Sequence, residues 1–341
     1  AGTGLHYPVY PGELSGSLGG NVNTNAGGMR AVRHGVTRHH VLGLELVLAD
    51  GTVLRTGGKV MKSSSGYDLT QLVIGSEGTL ALVTEVTVKL SPRLAHGATL
   101  LVPFGDLGGV THAVPQLLAA GLTPSILEYL DAVTMASITR AVDLEFGVAE
   151  AIASKATAWL VVVLETRTEA GLDADTEATA SLLAELGALD VYVLPTQSGR
   201  ALIEARERAF YVAKSAGANE IVDVVVPRAA VTAYLADVAG LAAAHGAFVA
   251  GCGHVGDGNV HLSVYLPDDD ARAALLAAMF AAGVAAGGQV SGEHGIGLDK
   301  LVPYLALTDP ALLDLQRRIK AVFDPGSLLN PGRLLDDGRV R

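Results

Sequence analysis

At 341 residues, half of them apolar and 17% charged, the chain can bury more than one hydrophobic core, so two domains are expected. Its net charge of −11 excludes nucleic acid as a partner, since binding there rests on clustered Lys and Arg against phosphates. No apolar run reaches the roughly 18 residues needed to cross a bilayer.

The chain opens on Ala1-Gly2-Thr3-Gly4-Leu5-His6-Tyr7-Pro8, without the charged-then-apolar pattern of a leader. The true N-terminus is not visible in this stretch, and a cytoplasmic protein, at most peripheral to a membrane, is the expectation. Residues 19–28, Gly-Gly-Asn-Val-Asn-Thr-Asn-Ala-Gly-Gly, read as a Gly/Asn-rich loop. Val41 to Ala49 and Thr52 to Thr56 read as strands, and Asp50-Gly51 between them is a hairpin signal. A second Gly-rich loop, Gly75-Ser76-Glu77-Gly78-Thr79, leads into a strand from Ala81 to Leu90. Beyond about residue 97, short β-rich runs alternate with Ala/Leu-rich helical stretches. The runs are Thr99–Val102, Ala158–Leu164, Val191–Leu194, Ile221–Val226, Ala247–Ala250 and Val260–Tyr265. The helices are expected at Val110–Ala120, Ala170–Leu186, Ala229–Ala244, Asp269–Ala286 and Pro310–Phe323. Such alternation fits a parallel sheet, but polar residues at alternate strand positions favour an antiparallel sheet covered on one face by helices.

Glycine is over-used, at 41 residues, and is concentrated in a few segments where backbone can approach a ligand. In the two Gly-rich loops, side-chain-poor backbone lets amide N–H groups face an anionic or aromatic cofactor; plain turns are the simpler alternative. A third concentration surrounds His254-Val255-Gly256-Asp257-Gly258-Asn259-Val260-His261. Two histidines seven apart on a regular strand would face opposite sides, so a tight Gly-broken loop is expected to bring the imidazoles together. Ser291-Gly292-Glu293-His294-Gly295-Ile296-Gly297 adds a carboxylate and another imidazole. Two His and a carboxylate, with a position left for water or substrate, make a catalytic divalent site. Gly251-Cys252-Gly253-His254-Val255-Gly256 formally matches a dinucleotide fingerprint, but a strand-like run rather than a helix follows it. Cys252 is the only cysteine, which excludes intrachain disulfides.

Taken together, Gly19–Gly28, Gly66-Tyr67-Asp68-Leu69, Ile74–Leu80, Gly253–His261, Gly292–Gly297 and Phe323–Gly332 resemble one flavoprotein family. It contains glycolate oxidase large subunits, D-lactate dehydrogenases and D-2-hydroxyglutarate dehydrogenases. The resemblance implies an α+β chain with part of a vanillyl-alcohol-oxidase-type FAD domain at 1–95. A substrate (cap) domain, an antiparallel sheet covered by helices, follows at 96–290, and residues 291–341 return to the FAD domain. The family's first Gly-rich subdomain has no counterpart, so a chain lacking that part of the FAD domain is expected. The resemblance further implies FAD contacts at Gly19, Gly20, Asn21, Thr24, Asn25, Gly27, Gly28, Gly75, Ser76, Glu77, Gly78, Thr79 and Asn330. By the same resemblance, His254, His261 and Glu293 hold a divalent metal (Zn or Mn), His294 is the base and Arg206 clamps the substrate carboxylate. Phe210 and Ile221 stand where the hydroxyglutarate branch has polar residues, which favours the D-lactate or glycolate class; against it, Lys214 could supply a replacement charge.

The expected reaction is oxidation of a small D-2-hydroxy acid to the 2-oxo acid with hydride transfer to FAD. The expected partners are that acid, an electron acceptor (a soluble carrier or a quinone) and a second copy of the chain in a homodimer. A metal-dependent hydrolase explains the histidine loops but leaves the Asn/Gly loops without a task. A non-catalytic, FAD-deficient subunit descended from such an enzyme is the other alternative.

Overall fold

The computed structural model describes residues 2–9, 11–12 and 15–335. The chain forms two compact units: one gathers residues 1–28, 34–93 and 290–341, the other residues 29–33 and 94–289.

The first unit contains β1 (Leu5–His6), β2 (Val41–Val47), β3 (Val53–Gly57), β4 (Leu82–Val88) and β5 (Ser91–Pro92). Strands β1 and β5 pair with each other, and the other three form an antiparallel sheet in the order β3-β2-β4. The Asp50-Gly51 turn joins β2 to β3, with the Asp50 carboxylate accepting from the Thr52 amide at 2.9 Å. Val22, Val41, Leu44, Leu46, Val73, Ile74 and Ala81 form the core of this unit, with Phe323 packed against it. Val22 reaches that core because the segment expected as a Gly/Asn loop begins as a helix, Leu18–Thr24. Ser17 caps its start, accepting from the Gly20 amide at 3.0 Å, and Asn25 ends it in the left-handed region at φ 51°. Capping at both ends offsets the poor helix propensity of its glycines and asparagines.

The second unit is built on β6 (His96–Phe104), β7 (Ile126–Asp131), β8 (Ala158–Thr166), β9 (Tyr192–Leu194), β10 (Glu220–Val225), β11 (Phe248–His254) and β12 (Asn259–Tyr265). They form one sheet in the order β10-β12-β11-β7-β8-β6-β9 with every pairing antiparallel. The antiparallel reading of the sequence holds. Helices lie on both faces, however. Trp159 and Val161 pack with Met135, Ile138, Leu202 and Ala205 from the helices Ala132–Ala141 and Thr196–Glu207. On the opposite side, Phe104 meets Gly109 of the helix Leu107–Ala119, and Val224 meets Gly283 of the helix Asp269–Ala285. Burial on both faces explains why β8 reads as an almost unbroken apolar run. Residues 29–33 join this unit through Arg30, whose guanidinium makes two hydrogen bonds with Glu165 at the end of β8 (2.9 and 3.3 Å), and Arg33, which donates to the Glu165 carbonyl at 3.0 Å.

Strands β11 and β12 form a hairpin in which His254 pairs with Asn259 and Cys252 with His261. Its turn depends on Gly258, at φ +92°, where an added Cβ would lie 2.1 Å from the Val226 carbonyl oxygen. Gly187 has the same φ of +92° but open space around it. Gly187→Ala is therefore expected to cost only the left-handed conformation, about 1–2 kcal/mol. Gly258→Ala should cost more, because backbone must also move. Urea denaturation of the two variants checks the order; equal losses would remove the hairpin constraint.

Candidate functional site

Side chains on a strand alternate between faces, so Cys252 and His254 share one face of β11 and Asn259 and His261 one face of β12. Given the hairpin register, His254 and His261 are diagonal neighbours on the same face of the sheet. Their rings stand edge to face with centroids 4.8 Å apart, and their Nε2 atoms are 3.2 Å apart. The imidazoles therefore do converge, but through cross-strand register rather than through a loop that breaks the strand. The formal dinucleotide fingerprint runs from β11 into this turn and on into β12, and no helix opens there.

The sequence did not reveal what stands behind the imidazoles. Strand β7 pairs with β11 through Cys252–Leu130 and Gly253–Tyr129, and one step further in that register sets Glu128 beside His254. Glu128 is fully buried on a strand whose other residues form the core. One carboxylate oxygen, Oε1, lies 2.5 Å from His254 Nδ1, and Oε2 lies 2.7 Å from Arg206 Nη2. Burial alone would raise the Glu128 carboxyl, but the neighbouring His254 imidazole and Arg206 guanidinium outweigh it and hold the group below its ordinary value. Behind His261 lies a second buried carboxylate, Asp223 on β10, 3.8 Å from His261 Nδ1. Asp223 is anchored by Asn259, whose amide nitrogen donates to it at 2.8 Å and to the Val224 carbonyl at 3.1 Å. Cys252 shares this face; burial pushes its thiol up, so it remains a protonated apolar filler.

Two imidazoles whose Nδ1 atoms face carboxylates and whose Nε2 atoms meet form a donor set suited to a divalent cation, because carboxylate–histidine pairs orient metal-binding rings. Arg206, in the last turn of Thr196–Glu207, belongs to the same cluster through Glu128. Of the residues singled out in the sequence, His254, His261 and Arg206 come together here, beside Glu128, Asp223 and Asn259, which the sequence reading did not name.

Glu293 and His294 belong to the first unit. Their loop is held by Glu77, whose carboxylate oxygens accept from the amides of Ile296 (2.6 Å) and Gly297 (2.9 Å). Glu77 itself sits in the left-handed region at φ 52°, and its amide donates to the Asn23 carbonyl at 2.7 Å. Its carbonyl accepts from the Asn330 side-chain amide at 2.5 Å. Lys320 donates to the carbonyls of Thr79 (2.7 Å) and Leu329 (2.9 Å) and pairs with Asp324, so the 324–330 turn is drawn onto the 75–79 loop. Gly27 completes the group, since a Cβ there would lie 3.2 Å from Glu293 Oε2. The helix 18–24 and the loops 75–79, 293–297 and 324–330 are thereby knitted into one frame within the first unit. Gly19, Gly20, Asn21 and Thr24 lie on that helix, and Asn25, Gly27 and Gly28 follow it. Gly75, Ser76, Gly78 and Thr79 flank Glu77. Asn23 Oδ1 and Ser76 Oγ are buried there with no hydrogen-bond partner among the described residues, a pair of polar atoms that a bound cofactor would satisfy. His294 is half-exposed, with Nε2 3.8 Å from Glu293 Oε1.

Comparison with known proteins identifies the family. The family model described as "FAD linked oxidases, C-terminal domain" matches residues 93–334, and one described as "FAD binding domain" matches residues 1–57. An uncharacterised FAD-linked oxidoreductase of Mycobacterium tuberculosis is 53% identical, over 99% of this chain and 73% of its own length. A D-lactate dehydrogenase of Archaeoglobus fulgidus is 35% identical, over 97% of this chain and 72% of its own. The glycolate oxidase subunit GlcD of Bacillus subtilis is 34% identical, over 99% and 72%. Among solved structures, alkyldihydroxyacetonephosphate synthase has a TM-score of 0.70 at 14% identity, covering 96% of this chain, which spans 60% of that one. A 4-ethylphenol oxidase from Gulosibacter chungangensis gives 0.70 at 18% identity, covering 93% and 69%. The fold is thus the expected mixed α/β one of vanillyl-alcohol-oxidase type, with an antiparallel sheet and helices. The chain belongs to the FAD-linked oxidase family of oxidoreductases.

Proposed function

We propose that the protein oxidises a small D-2-hydroxy acid of the D-lactate or glycolate class to its 2-oxo acid. The observation that carries this reading is the imidazole pair, His254 and His261, with adjacent Nε2 atoms and a buried carboxylate behind each ring. The relatives' names support the substrate class. So does the neutral character of Phe210 and Ile221. Lys214 donates to the Asn219 carbonyl at 2.8 Å.

His254, His261 and Glu293 would hold a divalent cation, Zn²⁺ or Mn²⁺, which supplies a Lewis acid. FAD, held by residues 19–28, 75–79 and Asn330, supplies the two-electron acceptor for the hydride of C2. His294 takes the hydroxyl proton, the role for which an exposed imidazole beside a carboxylate is suited. Arg206 pairs with the substrate carboxylate and fixes which face of C2 reacts, as a planar guanidinium can do bidentately. The substrate loses one proton and one hydride, and the 2-oxo acid leaves. The electrons pass on to a soluble carrier or a quinone. No helix among the described residues is long and apolar enough to cross a membrane.

A panel of D- and L-2-hydroxy acids assayed with a dye acceptor tests the reading. D-lactate or glycolate should be turned over to the 2-oxo acid; no turnover of any hydroxy acid by flavin-loaded protein would sink it. His294→Ala should lower kcat by about 10²–10⁴-fold with the flavin absorbance spectrum unchanged. Full turnover in that variant would place the base elsewhere. Chelation should abolish turnover without bleaching the flavin, and Zn²⁺ or Mn²⁺ should restore it. Flavin loss on chelation would instead mark a structural metal.

A further inference from the structure

We propose that Glu128 is a positioning residue that aligns two functional groups with one carboxylate, Oε1 setting the tautomer of His254 and Oε2 aiming Arg206. The proposal rests on the reading of His254 as a metal ligand and Arg206 as the substrate anchor, and it explains how both are kept in register.

A neutral imidazole carries a single ring proton. With Nδ1 2.5 Å from a carboxylate oxygen, that proton belongs on Nδ1, and the lone pair is left on Nε2. Nε2 is the atom that faces His261. The opposite tautomer would set two lone pairs against each other at Nδ1 and close the ligating atom with a proton. Arg206 has a long side chain with several rotatable bonds, yet its guanidinium is nearly buried and ends 2.7 Å from the other oxygen of the same carboxylate.

The carboxylate is well fixed. Glu128 lies on β7, hydrogen-bonded between β11 and β8, and its neighbours Leu127, Tyr129 and Leu130 are buried. Behind His261, Asp223 stands 3.8 Å from Nδ1 and accepts from Asn259. The His254 ring is locked by Glu128, and the same carboxylate reaches the guanidinium. Displacing Glu128 should therefore disturb metal binding and substrate binding together, which the loss of either partner alone would not do.

The test measures Zn²⁺ affinity by competition with a chromogenic chelator, and KM for the hydroxy acid with flavin-loaded protein. Glu128→Gln, matched in shape, should weaken Zn²⁺ binding about 10–100-fold and raise KM at least about tenfold. Arg206→Lys should raise KM and leave Zn²⁺ affinity unchanged. If Glu128→Gln moves only one of the two quantities, the double role is overturned. Wild-type protein that binds no Zn²⁺ overturns the metal reading itself, an outcome distinct from a wild type and a Glu128→Gln variant that bind equally well. Should Glu128→Gln not fold, ¹⁵N shifts of the metal-free wild type decide, with the His254 signals assigned by their loss in His254→Gln. An Nδ1–H tautomer upholds the proposal and an Nε2–H tautomer overturns it.

Discussion

A carboxylate buried on a central strand loses its water, at a cost of several kcal/mol unless charged partners replace the hydration. Glu128 meets that condition in the second unit through an imidazole on one oxygen and a guanidinium on the other. The requirement runs outward from there. The β11 register must bring His254 alongside, the helix Thr196–Glu207 must deliver Arg206 from above the sheet, and the hairpin turn must fold so that His261 returns next to His254. Removing the imidazole or the guanidinium would leave the Glu128 carboxylate less compensated in a low-dielectric interior. Such networks favour one arrangement over many, which suits the metal and carboxylate binding proposed for this cluster.

The first unit solves a different problem. Its functional loops are short, rich in glycine and poor in apolar side chains, and cannot hold themselves in place by packing. Polar clips do it instead. Glu77 takes two amides of the 293–297 loop, Asn330 reaches the Glu77 carbonyl, and Lys320 gathers Thr79 and Leu329. The glycines of these loops are thus part of a hydrogen-bonded frame rather than free hinges. Glu77 entered the sequence reading as a cofactor contact; its carboxylate is engaged in holding the loop that carries His294.

Much of this was legible in the sequence because it was local. The Asp50-Gly51 turn, the alternating strands and the helix Pro310–Phe323 each announce themselves within a few residues. The Gly-flanked His254, His261, Glu293 and His294 stood out because glycine is concentrated around them. Glu128 did not stand out, since Ser-Ile-Leu-Glu-Tyr-Leu-Asp reads as a short amphipathic run and neither its strand nor its burial follows from local pattern. A lone acid acquires its role only from a helix and a strand whose partner residues, Arg206 and His254, lie 78 and 126 positions further on, and no periodicity encodes that. The helix at Leu18–Thr24 was missed for a related reason. Its propensity is low, and what stabilises it is a serine cap and the burial of Val22 against residues from β2. Helices on both faces of the large sheet were foreshadowed only by the unbroken apolar stretch of β8.

The docking of residues 29–33 on the second unit has a consequence for how this protein can be divided. The backbone passes from one unit to the other and back within five residues, and then again near positions 94 and 290. A recombinant piece spanning 94–289 would contain every strand of the large sheet, yet it would leave Glu165 without Arg30 and Arg33. Dissection by cutting at a single linker therefore cannot yield the second unit intact. A faithful excision needs the pentapeptide supplied in trans or grafted to a new terminus.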